Sequence, residues 1–303
     1  MVHLFLINSF AGSNRFTSSI RECLSKRNDI EYYFLHIRKK HGEKDIADFV
    51  MSVFEGEALR IYCCGGSGTF RNVINSFPTY DNVEFAFFPR GISNDFLKCF
   101  GQSASAFSDL NALIDGHATM VDCIKTNHGV CVNTISAGLD SLYSKRFNDL
   151  THASIFGKNL PYNLALIHAM LFTKPEEYEI SIDGDVISGK FSQLVFCNGQ
   201  VFGGNLWVDT NGSPKDGLGT YAIFGPYVSL GMLPAITSLL GKNNEKIKKY
   251  AKYGQSKTLS IRRKDGKAFS MNMDGEMQPD YEEWAITIEK ESLPFVIPKG
   301  VEY

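Results

Sequence analysis

The chain has 303 residues, 44% of them apolar, and its 31 Lys plus Arg nearly balance 33 Asp plus Glu. Such a length buries a large core and predicts about two domains, while near-neutral charge argues against a nucleic-acid partner and makes any anion site a local one. Seven scattered cysteines without a CxxC pair read as reduced, mostly buried thiols of a cytosolic protein.

No secretory signal is visible, because Met1 opens directly into an apolar strand over 2–7. Phe16, Ile20, Cys23 and Leu24 then share a helical face. Extended chain follows over 31–37, then a helical pattern at Ile46, Phe49, Val50 and Val53, then a continuous apolar strand over 59–64. Phe70, Val73, Ile74 and Phe77 recur at i, i+3, i+4 and i+7, and another apolar run covers 83–88. This alternation predicts an α/β domain over 1–120, a parallel sheet with helices on both faces. Ligands of such sheets bind at the carboxyl ends of the strands, where the glycine turn after Cys64 falls.

From about residue 118 the pattern changes to strands joined by turn dipeptides. Runs over 120–125 and 129–135 flank Asn127-His128-Gly129, and runs over 178–182 and 186–196 flank Asp183-Gly184. A third hairpin is expected from 259–262 and 268–273 about Asp265-Gly266. One helical insertion, roughly 160–172, interrupts them; its apolar stretch carries His168 and is too short to span a bilayer. The expected architecture is a strand-rich, antiparallel, sandwich-like second domain over 121–290. Residues 291–303 are expected to return to the first domain, and a site is expected in the cleft between the two.

Several short segments carry chemistry. Cys64-Gly65-Gly66-Ser67-Gly68-Thr69 ends a strand and restarts as a helix, which makes a phosphate cradle. Its glycines let the backbone turn and approach a ligand, and the first helical N–H groups point at an anion. Pro89-Arg90-Gly91-Ile92-Ser93-Asn94-Asp95-Phe96 repeats that setting before a helix ending at Gly101, as a second ligand turn or a plain turn capped by Ser93 or Asn94. Asp122 sits mid-strand between apolar neighbours, either facing solvent or aimed into the cleft. Asp216 with nearby carbonyls suits a hard cation, although Asp-Gly is also a common turn. Asp274 and Glu276 put two carboxylates at a strand end, one a candidate general base and the other its aligning partner.

Taken in order, these segments resemble the diacylglycerol kinase catalytic-domain family, specifically its soluble bacterial lipid kinases, over nearly the whole chain. Asn8-Ser9-Phe10-Ala11-Gly12 is similar to the family's Asn-Pro-x-Ser-Gly loop, residues 65–69 to Gly-Gly-Asp-Gly-Thr, and residues 89–96 to Pro-x-Gly-Thr-x-Asn-Asp-Phe. Val121-Asp122, residues 133–140, Phe202-Gly203-Gly204, Asp216-Gly217 and Asp274-Gly275-Glu276 follow in family order. The resemblance implies an ATP-dependent lipid kinase that transfers a γ-phosphoryl group to a lipid hydroxyl, with a diacylglycerol-like acceptor. It implies that Asn8, Ser9, Phe10, Ala11, Gly12, Gly65, Gly66, Ser67, Gly68, Thr69, Ile92 and Asn94 hold ATP. It further implies a Mg2+ network reached by Asp95 and Asp122, a base function at Asp274 and Glu276, and a structural Mg2+ at Ser213, Asp216 and Leu218. Phosphoryl transfer needs charge neutralisation and in-line positioning more than covalent help, which suits this set.

The chain departs from the family pattern at four places. Ser67 stands for Asp and can neither carry negative charge nor organise metal-bound water; Asn72 stands for Glu, Ile92 for Thr and Ser9 for Pro. A carboxylate lost from a magnesium network costs on the order of a thousandfold in rate, roughly 4 kcal/mol. Two further readings therefore stand beside the kinase. One is an impaired nucleotide-binding relative acting as a sensor or regulator. The other is a serine hydrolase, because residues 65–69 are close to the G-x-S-x-G nucleophile elbow. Against the hydrolase, Thr69 replaces the last Gly, and neither His152 nor His168 lies in a supporting motif. Between Lys242 and Lys264 nine basic residues face the single acid Glu245, with Tyr250 and Tyr253 interleaved. Such a face suits docking of a cytoplasmic protein on the anionic inner surface of a membrane.

Overall fold

The computed structural model describes residues 1–8, 14–37, 42–77, 80–90, 94–138, 174–227, 231 and 233–302. The helix expected over 160–172 lies outside the described residues. The chain divides into two units, Met1–Asp122 with Lys290–Tyr303, and Cys123–Glu289.

In the first unit β1 (Val2–Asn8), β2 (Glu31–Ile37), β3 (Leu59–Gly65) and β4 (Val83–Pro89) form a parallel sheet in the order β2-β1-β3-β4. β3 is buried along its whole length, as a parallel strand covered on both faces must be. α1 (Asn14–Leu24), α2 (Glu43–Val53) and α3 (Ser67–Ser76) follow β1, β2 and β3. Right-handed crossovers put α1 on one face and α2 with α3 on the other. Accordingly α2 packs on α3, and α1 on α4 (Leu110–Ile114). The segment Asp95–Ser108 is a 3-10 helix broken at Gly101, whose φ of 57° is left-handed, so the helix end read there from the sequence has its cause in the glycine.

α3 buries Phe70, Val73, Ile74 and Phe77 as their spacing predicts. α2 differs from expectation: Phe49 and Val53 are 52% and 55% exposed, while Glu43, Ala47 and Val50 are buried. The apolar identities point to one stripe and tertiary packing uses another. Residues 290–297 complete this unit, with Phe295 paired to Phe85 beside β4. Phe295 sits among Phe70, Phe96, Phe100 and Phe107, with ring centroids between 5.3 and 6.0 Å.

His3 is buried on β1 with Nδ1 2.8 Å from the Tyr62 hydroxyl. Burial first, and the Arg60 charge second, lower its pKa from 6.5 to about 4. The unfolded chain therefore binds a proton at His3 below pH 6.5 that the folded chain refuses until about pH 4. Stability is intact above the upper value and falls as pH drops toward the lower one. The loss is expected to approach about 3 kcal/mol. Urea midpoints followed between neutrality and pH 4.5 should fall less in His3→Asn than in the native chain.

The second unit holds two antiparallel sheets. One contains β6 (Gly129–Cys131), β8 (Glu176–Ile182), β9 (Asp185–Phe191) and β15 (Thr258–Arg263), with the parts of β5 (His117–Thr126) and β18 (Glu283–Ile297) that fall between Cys123 and Glu289. The other runs β14 (Ala251–Ser256), β13 (Gly219–Phe224), β10 (Gln193–Cys197), β7 (Thr134–Gly138), β16 (Asn272–Met273), β17 (Glu276–Met277). A small ribbon pairs β11 (Val201–Phe202) with β12 (Leu206–Trp207). Ile180, Ile261, Trp284 and Ile286 of the first sheet meet Ile135, Leu194, Phe196 and Ile223 of the second in one core, the layering of a sandwich. On β10 the alternate residues Val195 and Cys197 enter another core with Ala235, Ile236 and Leu239 of α5 (Leu233–Leu240) and Ile247 of α6 (Asn244–Ile247).

Three expected strands or pairings are corrected. The run 129–135 divides between β6 and β7. The run 186–196 divides at Ser192, where the chain leaves one sheet for the other; β9 pairs with β8, and β10 with β7 and β13. The hairpin at Asp265-Gly266 does not form, because both edges of β15 are taken by β8 and β18 and β16 pairs with β7 and β17.

Candidate functional site

β1 and β3 are neighbours where the strand order reverses, with connections leaving outward to β2 and to β4. Open parallel sheets take ligands in that crevice. Here the end of β1 is tied to the first turn of α3: Asn8 Nδ2 donates to Thr69 Oγ1 at 2.8 Å. Thr69 folds back over Gly65 so closely that a Cβ at position 65 would stand 2.8 Å from the Thr69 Cβ, which leaves glycine as the residue that fits. Gly66 is extended (φ −94°, ψ 179°) and no side chain caps α3. The amides of Ser67, Gly68 and Thr69 thus open the helix without intrahelical acceptors, and no acid lies in its first turn. Arg90 N–H donates to Gly65 O at 2.7 Å and fixes the end of β4 against the turn. Together these make a backbone-lined site for an anion, and the Ser67 side chain leaves that backbone unchanged.

Asn94 is left-handed (φ 43°) and leads into the 3-10 helix without a side-chain cap bond. Ser9, Phe10, Ala11, Gly12 and Ile92, with His152 and His168, lie outside the described residues. Asp95 is buried and accepts from Lys98 Nζ at 2.8 Å; Lys98 was not singled out from the sequence, although its i+3 spacing on a helix signals the pair. Asp122 is 0% exposed and its Oδ1 accepts from the Glu291 amide at 2.8 Å, which removes the solvent-facing reading. Asn72 Oδ1 accepts from Arg71 Nη2 at 2.9 Å. Asp95 carries an ammonium and Asp122 an amide, and Ser67 and Asn72 are uncharged, so this set fits a divalent cation poorly.

In the second unit Asp274 is buried in a left-handed conformation, φ 49°, on the turn between β16 and β17. Its Oδ2 accepts from the Val132 amide at 2.8 Å, and its Oδ1 from the amides of Asn133 and Thr134 at 3.0 and 2.9 Å. Its own amide returns a bond to Thr134 O at 3.0 Å. Three amide donors hold the carboxylate, so Asp274 is built to shape residues 132–134. Glu276, half-buried on β17, shares that hairpin.

Ser213, Asp216 and Leu218 lie in one turn, where the Asp216 amide donates to Ser213 O at 3.4 Å and the Leu218 amide to Asp216 Oδ1 at 2.9 Å. The turn offers one carboxylate and carbonyl oxygens, a donor set that suits a hard cation in kind. Among the described residues no group of three or more His, Cys, Asp or Glu is arranged to hold a metal ion.

The parallel sheet with its cradle and the antiparallel sandwich define a recognisable pair of domains. Residues 3–126 match the family model of the diacylglycerol kinase catalytic domain, and residues 133–285 that of the YegS C-terminal NAD kinase beta sandwich-like domain. The chain belongs to the family that joins these two domains. A Staphylococcus aureus (strain Newman) protein named "Putative lipid kinase" is 27% identical over 188 residues, 60% of this chain and 61% of that one. The match thus spans about three fifths of the relative's length. Two solved structures from Bacillus anthracis strain Sterne, both titled as diacylglycerol kinases, the first of them as "putative", share the fold, with TM-scores of 0.73 and 0.72. They are 20% and 17% identical and cover 99% of this chain and 98% of theirs.

Proposed function

We propose that this protein is a lipid kinase that uses ATP with Mg2+ to phosphorylate a lipid hydroxyl, with a diacylglycerol-like acceptor. The observation that carries the reading is the glycine cradle at the sheet's reversal point, locked by the Asn8–Thr69 bond. In this reading the amides of residues 66–69 hold the nucleotide phosphates, with Asn8 and Asn94 contributing to the same site. Mg2+ carried in with the nucleotide would neutralise phosphate charge, since Asp95 and Asp122 are poorly placed to hold it themselves. Ser213, Asp216 and Leu218 are the residues suited to a structural ion. The three amides on Asp274 support an aligning role for it, which assigns the acceptor's proton to Glu276. The test is incubation of purified protein with ATP, Mg2+ and a lipid panel that includes diacylglycerol. Labelled lipid product supports the kinase, and its absence sinks it.

A second reading, nucleotide binding without turnover, is favoured by Ser67 and by the Lys98 ammonium on Asp95. It predicts ATP binding in a chain that yields no lipid product.

Access to the acceptor assigns the membrane contact to part of the basic run only. Arg262 pairs with Glu179, and Arg263 with Glu176 and Asp265, so the β15 cations are neutralised locally. Lys246, Lys249 and Lys252 are exposed on and after α6. α6 packs on α5, whose Leu233 and Leu240 are exposed as well. At about 1 kcal/mol per cation, reversing these three lysines to Glu should weaken binding to anionic vesicles by roughly a hundredfold or more. Reversal of Arg262 and Arg263 should leave vesicle binding nearly unchanged; equal effects of the two sets would remove the assignment. Among the described residues no helix is long and apolar enough to cross a membrane.

A further inference from the structure

Glu43 is an anomaly. It opens α2, is 5% exposed, and its Oε2 is buried with no hydrogen-bond partner. A buried carboxylate without a partner costs several kcal/mol. The N-terminus of α2 offsets part of that, since an acid in the first turn is favoured by the helix dipole. Nothing in its own helix requires the burial, because the outward positions of α2 carry Phe49 and Val53 instead.

Its location connects it to the cradle. β1, β2 and β3 are parallel, so the chain that follows β2 emerges on the same sheet edge as the glycine turn that follows β3. α2 packs on α3, the helix whose first amides line that turn. The Cys63 thiol, two residues before Gly65, is raised well above its ordinary value by burial and further by the charges of Cys64 and Glu43, which puts the Glu43 carboxylate within electrostatic reach of the end of β3.

A carboxylate only accepts hydrogen bonds, so what completes Glu43 must be a donor. Phosphate oxygens supply none at neutral pH; the sugar of a nucleotide does. Acids at the carboxyl end of a parallel strand take ribose hydroxyls in the same way in dinucleotide-binding sheets. We infer that Glu43 is a nucleotide-specificity residue, its buried Oε2 accepting a hydrogen bond from a ribose hydroxyl of the nucleotide whose phosphates lie on residues 66–69. This rests on the nucleotide reading above and extends it to the sugar.

The test compares ATP, 2′,3′-dideoxy-ATP and inorganic triphosphate on the native chain and on Glu43→Gln, by calorimetry with Mg2+ and again with EDTA. A charge-assisted bond predicts that the native chain binds ATP about tenfold more tightly than the dideoxy analogue, and that Glu43→Gln abolishes most of that preference. Triphosphate affinity should be unchanged by the substitution, and the thermal midpoint of Glu43→Gln unchanged or higher, since a buried charge is removed. A preference that survives in Glu43→Gln, or an equal loss for triphosphate, overturns the inference. A loss confined to the Mg2+ arm overturns it too, because the carboxylate then serves a cation. Failure of the native chain to bind either ATP or triphosphate brings down the nucleotide reading itself, a different outcome from the three before it.

Discussion

Ser67→Asp is expected to raise lipid phosphorylation by about a hundredfold to a thousandfold, equivalent to roughly 3–4 kcal/mol of transition-state stabilisation. The reason lies in what position 67 can and cannot do. Its amide belongs to the cradle and is unaffected by the side chain, so phosphate affinity should change little. Its hydroxyl, however, carries no negative charge, and the following turn, with Asn72, has no acid to supply one. The new Asp would sit at the first residue of α3, whose first turn has no acid, where a negative charge is favoured by the helix dipole. The variant should therefore fold at least as well as the native chain. Product from the native chain at a rate that Ser67→Asp does not improve would mean that another group already supplies the charge. Product from Ser67→Asp alone would mark a lapsed kinase, and none from either, with ATP bound, a sensor.

The second large effect concerns folding. Arg60→Met is expected to destabilise the first unit by about 3–5 kcal/mol, read as a fall in urea midpoint without loss of the slope. Arg60 is 6% exposed on β3 and pairs in register with Glu84 on β4, with Nε and Nη2 each 2.8 Å from Glu84 Oε2. Its Nη1 reaches the carbonyls of Leu113, Ile114 and Gly116 at 3.2, 2.9 and 3.1 Å, at and just beyond the C-terminus of α4. One guanidinium therefore serves a partly buried acid and three carbonyls. A buried polar group left without its partner costs more than the bond itself contributed. Pairing Arg60→Met with Glu84→Leu should recover part of the loss, because the acid no longer needs a partner; no recovery would place the cost in the carbonyls alone.

Arg60 also illustrates what was legible beforehand. β3 and its glycine turn can be read from a continuous apolar run and three glycines, since both are set by local chemistry. That Arg60 inside that run caps a helix fifty residues later cannot. The same division recurs at the candidate site. Asp274-Gly275-Glu276 is a local pattern, whereas the three amides that make Asp274 an acceptor come from residues 132–134. The Asp183-Gly184 turn finds β8 and β9, but nothing local marks the change of sheet at Ser192, because no Gly, Pro or turn dipeptide stands between Phe191 and Leu194. The face of α2 was misread for a related reason: burial of Glu43 contradicts hydropathy, and a sequence pattern has no term for a charge placed inward.

The aromatic cluster about Phe295 bears on the order in which the molecule can be made. The sheet that carries the cradle is encoded within the first ninety residues, yet one of its flanking strands and the ring that Phe70, Phe96, Phe100 and Phe107 surround are encoded after the whole sandwich. On a ribosome the cradle's own unit must therefore wait, with that aromatic hollow open, until some two hundred further residues have been added. Synthesis favours domains that fold as they emerge; here the earlier-made unit is the later to be complete, and a chain interrupted before Lys290 would lack the ring about which its first unit packs.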